Sequence, residues 1–315
     1  MNSRKRSKQW PFPRHKQYSA EIRVAAAKWF KEKKFAPHPR MPYCLKEWVN
    51  WKDNIILPDV AEYIEKQSTE AQTKKKPFPL HKWLHHGMSS QAMAFNLIGP
   101  LIIRRDYAPL SDVLKSKDIP GANDIVEACF EYEDRDVFNE DTGQPTSVDI
   151  VLKNSNGEPH IFIESKLDEQ EFGGCSVFSA GDCSGKNPIG SENDCFLHFI
   201  GRTYWNLMAK HGITESVRND RQCLFVAHYQ FFREVIFAIE KGGIFVLLSD
   251  ERSPVFQCQS GEKMNGLLPF LSELLPDNLR DKVAPISIQE FVNAIEQYRT
   301  HHDWIYEFKK KYGMV

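Results

Sequence analysis

The chain of 315 residues is long enough for one large domain or two modest ones, and 41% hydrophobic residues indicate a globular protein with a sizeable core. No apolar run approaches the ~18 residues of a membrane span, and the N-terminus lacks the apolar stretch of a secretory signal. A formal net charge of −1 gives no bulk attraction for nucleic acid. Seven cysteines in a chain without that signal predict reduced thiols and a cytoplasmic location.

The first part of the chain is basic and then helical. Residues 1–16 contain no acid and carry Arg4, Lys5, Arg6, Lys8, Arg14 and Lys16. Such an arm can hold phosphates by counterion release, and a solvated terminus is the alternative interpretation. Apolar spacing predicts helices over 17–34 and, in two pieces broken at Pro58, over 45–65. Residues 68–79 read as an exposed linker, which divides the chain into an N-terminal region, 1–79, and a main domain, 80–315.

The main domain begins with a helix that Ser89 or Ser90 caps and that Gly99-Pro100 ends. A second helix is predicted over 107–117. Residues 124–138 follow, and their later part alternates as a strand, with Phe130 and Tyr132 on one side and acids on the other. We expect this strand to run antiparallel to the next one. Either Glu131 or Glu133 could bring a further carboxylate to a metal site there, and exposure on the solvent-facing side is the alternative.

A β-hairpin is predicted between residues 148 and 166. Two runs of β-branched residues flank Asn156-Gly157, the strongest short hairpin signal. With these as the two turn residues, opposed residues have numbers summing to 313, so Asp149 faces Glu164, and Lys166 shares its side of the sheet. The other side is aliphatic and should fix the register. It comprises Val148, Ile150, Leu152, Ile161 and Ile163.

Two opposed carboxylates repel each other unless a positive charge lies between them. A hard divalent cation with oxygen ligands, such as magnesium, would relieve this repulsion, with the Lys166 ammonium close by. The alternative is an ordinary solvent-facing side of a hairpin, on which Lys166 simply neutralises Glu164.

Three cysteines and a histidine follow within a polar, glycine-bearing stretch. Cys175, Cys183, Cys195 and His198 are the types of residue that hold a structural zinc ion. Cys195 directly precedes a helix predicted over 196–210, and its spacing of three places it on the same face as His198. The Cys175-to-Cys183 spacing is not that of a zinc knuckle, and no fourth cysteine is evident beside the trio. Free thiols in a loop are the alternative.

A crossover unit is predicted further on. Residues 223–227 read as a buried strand, residues 229–241 as a helix stopped by Gly242-Gly243, and residues 244–248 as a second strand. Gln230 would then lie at the carboxyl end of the first strand, where α/β proteins place functional groups. Helix capping is its alternative role. The C-terminal part is helical and includes a long helix opened by a Ser287 and Glu290 capping box.

The pattern of Asp149 followed by Glu164-x-Lys166 on the next strand resembles the PD-(D/E)XK nuclease superfamily, although Val148 stands where its proline would be. Further segments add to the likeness: SSQAMAFNLIGPL, ESKLDEQEFGGC and HYQFFREVIFAIEKGGIFVLL. Over residues 80–300 the chain resembles a little-characterised group of bacterial restriction-endonuclease-like proteins. The resemblance implies an α/β fold: a restriction-endonuclease-like mixed sheet, with an antiparallel hairpin and a βαβ unit, flanked by helices and preceded by a helical N-terminal region.

The expected function is a magnesium- or manganese-dependent nuclease that hydrolyses phosphodiester bonds of DNA, in restriction or another defence role. The resemblance makes Asp149 and Glu164 metal ligands, with the Ser165 backbone carbonyl beside them, and Lys166 the catalytic lysine. Gln230 joins this site, and structural zinc is the other metal that the residues allow, with free thiols as the alternative. The expected partner is nucleic acid and not a membrane. The oligomeric state is open, and a homodimer is one of the alternatives. A catalytically silent nucleic-acid- or protein-binding module is the alternative function.

Overall fold

A computed structural model describes residues 12–315. Its β-strands are β1 Pro37–His38, β2 Met41–Leu45, β3 Glu127–Glu133, β4 Ser147–Lys153, β5 Pro159–Lys166, β6 Ile244–Ser249, β7 Cys258–Ser260, β8 Lys263–Asn265 and β9 Val283–Ser287. Its α-helices are α1 His15–Glu32, α2 Pro58–Thr73, α3 Ser90–Arg104, α4 Ala108–Ser116, α5 Ser176–Ser179, α6 Phe196–Phe199, α7 Tyr204–Lys210, α8 Ile213–Ser216, α9 Phe225–Glu240, α10 Leu267–Glu273, α11 Asp277–Arg280, α12 Ile288–Ile295 and α13 His302–Lys311. Turns of 3-10 helix occupy Trp48–Asn54, Glu192–Asp194 and Arg299–His301.

Five strands form the central sheet, in the order β3-β4-β5-β6-β9. The pairs β3/β4 and β4/β5 are antiparallel, whereas β5/β6 and β6/β9 are parallel. The prediction of a mixed α/β sheet with an antiparallel hairpin is therefore confirmed, as is the antiparallel strand before it. β1/β2 and β7/β8 are separate two-stranded hairpins.

The crossover unit exists, but its first strand was predicted wrongly. Residues 223–227 do not form a strand; from Phe225 onward they are the first turn of α9. The strand that precedes the crossover is β5, which α9 connects to its parallel neighbour β6. The apolar run over 223–227 is too short to show the period of a strand or of a helix. The sequence therefore does not distinguish a buried strand from a buried helix turn here, and the structure has the helix turn.

The hairpin has the predicted register and a different turn. Ile150 pairs with Ile163 and Leu152 with Ile161, as the sum of 313 requires. The turn is shifted by one residue from the predicted one. The Asn154 N–H donates to the Glu158 carbonyl, and Gly157 adopts a left-handed φ of 77°. A bulge between Leu152 and Lys153 absorbs the difference. The buried side chains, rather than the turn, therefore determine which residues face each other.

Helices cover both faces of the sheet and make two cores. The first core holds Ile150, Ile161 and Ile163 with side chains of α1 to α4, α12 and α13. The second core holds Val151 and Phe162, on the opposite face, with side chains of α7 to α10. Val148 was predicted on the face of Ile150 but packs in the second core. Along β4 the side chains therefore do not alternate regularly between the two faces, and the irregularity lies at Asp149, between Val148 and Ile150.

The N-terminal region shares the first core with the sheet. Tyr18, Ile22, Val60 and Ile64 all pack in that core. Residues on the two sides of the predicted boundary at 79/80 thus contribute to one core, and the boundary itself stays a prediction. Of the basic arm, Arg4, Lys5, Arg6 and Lys8 lie outside the described residues. No helix of residues 12–315 is both long and apolar enough to cross a membrane.

Several helix ends differ from the prediction. α2 continues to Thr73, into the predicted linker, and α3 passes through Gly99-Pro100 and ends at Arg104. Gly99 serves packing rather than termination, because a Cβ there would lie 2.4 Å from Cγ1 of Val60 on α2. The helix predicted over 196–210 is split into α6 and α7 by Gly201, whose φ is 89°.

The C-terminal helical region contains both a confirmed and a wrong prediction. The capping box is present: the Glu290 backbone N–H donates to Ser287 and the Glu290 carboxylate accepts the Ser287 N–H. The helix that it opens is not continuous. α12 ends at Ile295, and α13 begins at His302.

Candidate active site

Glu164 and Lys166 lie on the central strand β5 and point toward α9. They are two residues apart, so both leave the same face of the strand, and they are 3% and 6% exposed. The Lys166 Nζ atom donates to Glu164 Oε1 at 2.8 Å. A charged pair this deeply buried needs further hydrogen-bond partners, because water can no longer solvate either group.

Gln230 of α9 supplies those partners. Its Oε1 atom accepts a hydrogen bond from Lys166 Nζ at 2.9 Å, and its Nε2 atom donates to Glu164 Oε1 at 2.6 Å. The single amide therefore holds both charged side chains. Its backbone is fixed in turn, since the Gln230 N–H donates to the carbonyls of Phe172 and Gly173. The predicted association of Gln230 with Glu164 and Lys166 is present, although it comes from a helix rather than from the end of a strand.

Glu234 is a fourth member of this group that the sequence interpretation missed. It lies one helical turn after Gln230, accepts from Gln230 Nε2 at 2.8 Å, and is fully buried. Its Oε2 atom is buried without a hydrogen-bond partner in the described structure. The signal for it in the sequence is the i, i+4 spacing from Gln230, which places both polar side chains on one face of the helix.

Asp149 lies on β4, beside the point where the pairing of β4 with β5 stops. The last ladder pair on that side is Ile150 with Ile163. Beyond it, Asp149 Oδ2 accepts the backbone N–H of Ser165 at 2.9 Å. Asp149 is therefore tied to the residue between Glu164 and Lys166; the residue as a whole is half-buried, and its carboxylate is removed from solvent. The structure brings together all three residues of the predicted constellation.

Glu131 brings a further carboxylate to the same place. It lies on β3 between the ladder pairs Phe130–Ile150 and Tyr132–Val148, level with Asp149. Its φ of 53° is left-handed, which is a strained conformation for a glutamate in a strand and is typical of functional positions. The sequence left Glu131 and Glu133 as equal candidates, and the structure selects Glu131.

Two hydrogen bonds hold the Glu131 carboxylate. Gln91 Nε2 donates to Oε1 at 2.6 Å, and the Ser147 hydroxyl donates to Oε2 at 3.1 Å. Gln91 also accepts the His81 N–H and donates to the Pro79 carbonyl. The first turn of α3 therefore connects the chain at Pro79 and His81 to this carboxylate.

The acids perturb one another because they are buried close together. Burial raises the pKa of Asp149 well above its usual value, and the Glu164 and Glu131 carboxylates raise it further. Burial also raises the pKa of Glu131 to about 7. Burial and Glu164 hold the pKa of Glu234 well above the ordinary range. At neutral pH the site therefore favours either protons or a cation on these carboxylates.

The pKa of Lys166 is shifted so that its charged form is favoured, whereas the pKa shifts of the acids favour their neutral forms. Burial alone would lower its pKa, but the surrounding carboxylates, of which Glu164 acts most strongly, leave the pKa above its ordinary value. Lys166 is therefore an ammonium ion at neutral pH. It can stabilise negative charge, and it is a poor proton acceptor.

The donor set of the site fits a magnesium ion better than a transition metal. Among residues 12–315, no three His, Cys, Asp or Glu side chains are already arranged around one ion position. Magnesium needs fewer protein ligands, since it commonly keeps several waters and takes one or two carboxylates. Asp149 and Glu164 would supply the two carboxylates, and the mutual repulsion of the acids favours a cation.

The predicted zinc ligands lie in the segment between β5 and α7. Cys175 precedes α5, Cys183 follows it, Cys195 precedes α6, and His198 lies within α6. All seven cysteines are free thiols. The Nδ1 atom of His198 is buried and has no hydrogen-bond partner in the described structure. Zinc binding by this set stays a prediction.

A family model described as restriction endonuclease associating with ARP matches residues 23–313. No curated protein and no solved structure matches the chain significantly. The family supports the predicted restriction-endonuclease-like resemblance, together with a nuclease-like role and contact with nucleic acid. Because the match spans nearly the whole sequence, this chain belongs to the family of restriction endonucleases associating with ARP.

Proposed function

We propose that the protein is a metal-dependent nuclease that hydrolyses phosphodiester bonds in DNA. The observation that carries the proposal is the arrangement of Lys166. Its ammonium is held by Glu164 and Gln230, with Asp149 fixed to the intervening Ser165 amide. The family supports a nuclease-like role, and the PD-(D/E)XK assignment of Asp149, Glu164 and Lys166 is our proposal.

Hydrolysis of a phosphodiester requires an activated water and compensation of the charge that develops at phosphorus. Lys166 would meet the second need. It is protonated, buried and pre-oriented by two hydrogen bonds, so little reorganisation is needed when charge appears on the phosphoryl oxygens. We therefore assign to Lys166 the stabilisation of the transition state and the orientation of the attacking water.

The carboxylates would hold the cofactor. We propose Mg²⁺, or Mn²⁺ in its place, held by Asp149, Glu164 and the Ser165 carbonyl. When bound, the ion would lower the pKa of a water and neutralise phosphate charge. The raised pKa of Asp149 supports this proposal, because a buried carboxylate beside other carboxylates gains most from a cation.

DNA is the proposed substrate because the family is described as a restriction endonuclease. The test is incubation of the purified full chain with plasmid DNA, circular and linear, methylated and unmethylated, in Mg²⁺, Mn²⁺ or EDTA. We expect cleavage of at least one of these substrates that EDTA abolishes. DNA binding without cleavage in either metal would instead favour the silent binding module, and cleavage unaffected by EDTA would refute the metal-dependent mechanism.

A further inference from the structure

A cavity lies beside the candidate active site. Its volume is about 370 Å³, which is within the range of sites for small molecules. Two of its lining residues, Asp168 and Glu169, follow closely after Lys166 at the end of β5. Two others, His81 and Trp83, come from the segment that precedes α3. The cavity thus combines acidic groups with planar aromatic and imidazole rings.

Two sets of contacts connect the cavity to the candidate active site. The Glu169 Oε2 atom accepts the backbone N–H of the residue after Lys166 at 2.7 Å, and the Glu169 carboxylate is one of the charges that raise the pKa of Lys166. Gln91 makes the other connection, because it accepts the His81 N–H at 2.9 Å and donates to the Glu131 carboxylate at 2.6 Å. A molecule in the cavity would therefore lie next to the catalytic group.

Trp83 offers a surface for stacking. It is 49% exposed, which is high for the largest apolar side chain. Its ring lies nearly parallel to that of His85, with 24° between the planes, and the Lys82 ammonium lies 5.4 Å from the ring centroid. The backbone is fixed, since the His86 N–H donates to the Trp83 carbonyl at 2.8 Å. An exposed ring on a fixed backbone is suited to bind a planar group.

His81 and His86 supply hydrogen-bond donors to the cavity. Burial lowers the pKa of both side chains, to about 4 for His86, so both rings are neutral at pH 7. In each ring Nδ1 accepts a backbone N–H, from Trp83 and Met88 respectively. A neutral imidazole whose Nδ1 accepts carries its proton on Nε2. The two histidines therefore offer donors, whereas the two carboxylates of the lining offer acceptors.

The segment that carries the two histidines is fixed to the rest of the fold. The Asn54 side-chain amide donates to the carbonyls of Leu84 and His86, at 2.7 and 2.9 Å. Gly87 is packed against α1, because a Cβ there would lie 2.6 Å from Cβ of Ala26. The cavity is therefore a built part of the structure, and its donors and acceptors have set positions.

We propose that this cavity binds one nucleobase of the substrate strand, beside the phosphodiester that is cleaved, and that it selects a base with an exocyclic amino group, cytosine or adenine. The base stacks on Trp83, as bases turned out of a duplex stack on aromatic side chains. Lys82, beside the ring, meets the phosphate of the same nucleotide. This inference rests on the proposed nuclease function.

The selectivity follows from the charge of the lining. The amino group of cytosine or adenine donates to the Glu169 carboxylate, and the adjacent ring nitrogen accepts from a histidine Nε2–H. Thymine and guanine would instead turn a carbonyl oxygen toward the carboxylate, which repels it. The cavity therefore discriminates between bases through one acceptor and one donor.

The first test uses the unmodified full chain and single strands, whose bases need not be unpaired. Fluorescence anisotropy measures the binding of labelled strands of deoxycytidine, of thymidine or of abasic backbone, each about ten nucleotides long, with Ca²⁺ in place of Mg²⁺. We expect the cytosine strand to bind about tenfold more tightly than the abasic strand, and more tightly than the thymine strand. Equal affinity for all three would overturn the proposal. Competition by free deoxycytidine monophosphate as strong as that by the strand would also overturn it, because the site would then serve free nucleotides.

Variants assign the effect to the cavity. Trp83→Ala should weaken binding of the cytosine strand about tenfold and leave binding of the abasic strand unchanged, whereas Trp83→Phe should retain most of the affinity. Tyr306→Ala, which removes an exposed ring of α13, is the matched control and should bind like wild type. Glu169→Gln should narrow the preference for cytosine over thymine, because an amide can also donate to the thymine carbonyl. Equal losses for the cytosine and abasic strands in Trp83→Ala would refute the stacking.

The binding measurements separate this inference from the proposed catalysis. A chain that prefers the cytosine strand through Trp83 and cuts no DNA in Mg²⁺ would keep the base site and refute the nuclease. A chain that cuts DNA and binds the three strands equally would keep the nuclease and refute the base site.

Discussion

The side-chain amide of Gln230 donates to the Glu164 carboxylate at 2.6 Å, although 66 residues separate the two in the chain. The same amide accepts from Lys166 at 2.9 Å. Gln230 thus connects the helix α9 to both charged residues of β5. It fixes the direction of the Lys166 ammonium, and we describe it as a positioning residue.

Replacing Gln230 by alanine should lower kcat of DNA cleavage by about 10- to 100-fold, the usual effect of losing a residue that orients others. KM should change little, because Gln230 bonds the buried pair rather than the substrate, and the melting temperature should fall, because Glu164, Lys166 and Glu234 each lose a buried hydrogen-bond partner. Gln297→Ala is the matched control, since Gln297 is exposed and its side-chain amide donates to the carbonyl of Asn293, four residues earlier. An unchanged kcat in Gln230→Ala would remove Gln230 from the site.

Glu234 should behave as a neutral acid. Burial and Glu164 hold its pKa well above the ordinary range, and its Oε2 atom lacks a partner. Glu234→Gln keeps the shape and removes only the ionisable group, so we expect a change of less than ~1 kcal/mol in the free energy of unfolding. Glu234→Ala leaves a cavity and frees Gln230, and should cost about 2–4 kcal/mol. Urea unfolding of both variants at pH 7 measures this; equal losses would show that the charged form is required.

Glu131 should make the metal-free protein less stable as the pH rises. Its pKa is about 7 in the folded protein against 4.5 for an unperturbed glutamate, so the folded state binds more protons between these pH values. The protonated Glu131 side chain makes its full contribution to the stability of the folded state below pH ~4.5, and this contribution is lost as the pH rises through ~7. In EDTA, Glu131→Gln should therefore gain roughly 1–3 kcal/mol relative to wild type between pH 4.5 and 7.5.

The measurement for Glu131 is urea unfolding of both proteins at several pH values in EDTA. The difference between them is the relevant quantity, because the contributions of all other titrating groups cancel in it. A difference independent of pH would contradict the raised pKa of Glu131. Glu133→Gln is a suitable control, as Glu133 lies two residues further along the same strand.

The hairpin could be predicted from the sequence because its aliphatic face fixes the register whatever the turn does. Asp149, Glu164 and Lys166 came together for that reason, despite a wrongly predicted turn. Local patterns failed where tertiary packing decided the outcome. Residues 223–227 were apolar enough for a strand, and it is their packing against α7 and their hydrogen bonds to Cys175 and Gly185 that accompany the helix turn.

Long-range contacts made by single polar residues could not be predicted either. The spacing of Gln230 and Glu234 places both on one side of α9, but the fact that this side faces Glu164 depends on how α9 crosses the sheet, which no local period encodes. Glu131 could not be separated from Glu133, because the left-handed backbone that sets its direction is a strained exception to strand geometry.

The most direct test of the central claim compares single-turnover cleavage of plasmid DNA in Mg²⁺ by wild type, Asp149→Asn, Lys166→Met and the control Lys153→Met. Asp149→Asn keeps the size of the ligand and removes its charge, and Lys166→Met keeps the apolar stem and removes the ammonium. Lys153 lies on neighbouring β4, paired with the exposed Glu127. We predict that both site variants lose cleavage by at least about 1,000-fold, with folded circular-dichroism spectra, and that Lys153→Met cleaves like wild type. Wild-type rates in Asp149→Asn and Lys166→Met would contradict the assignment of this site.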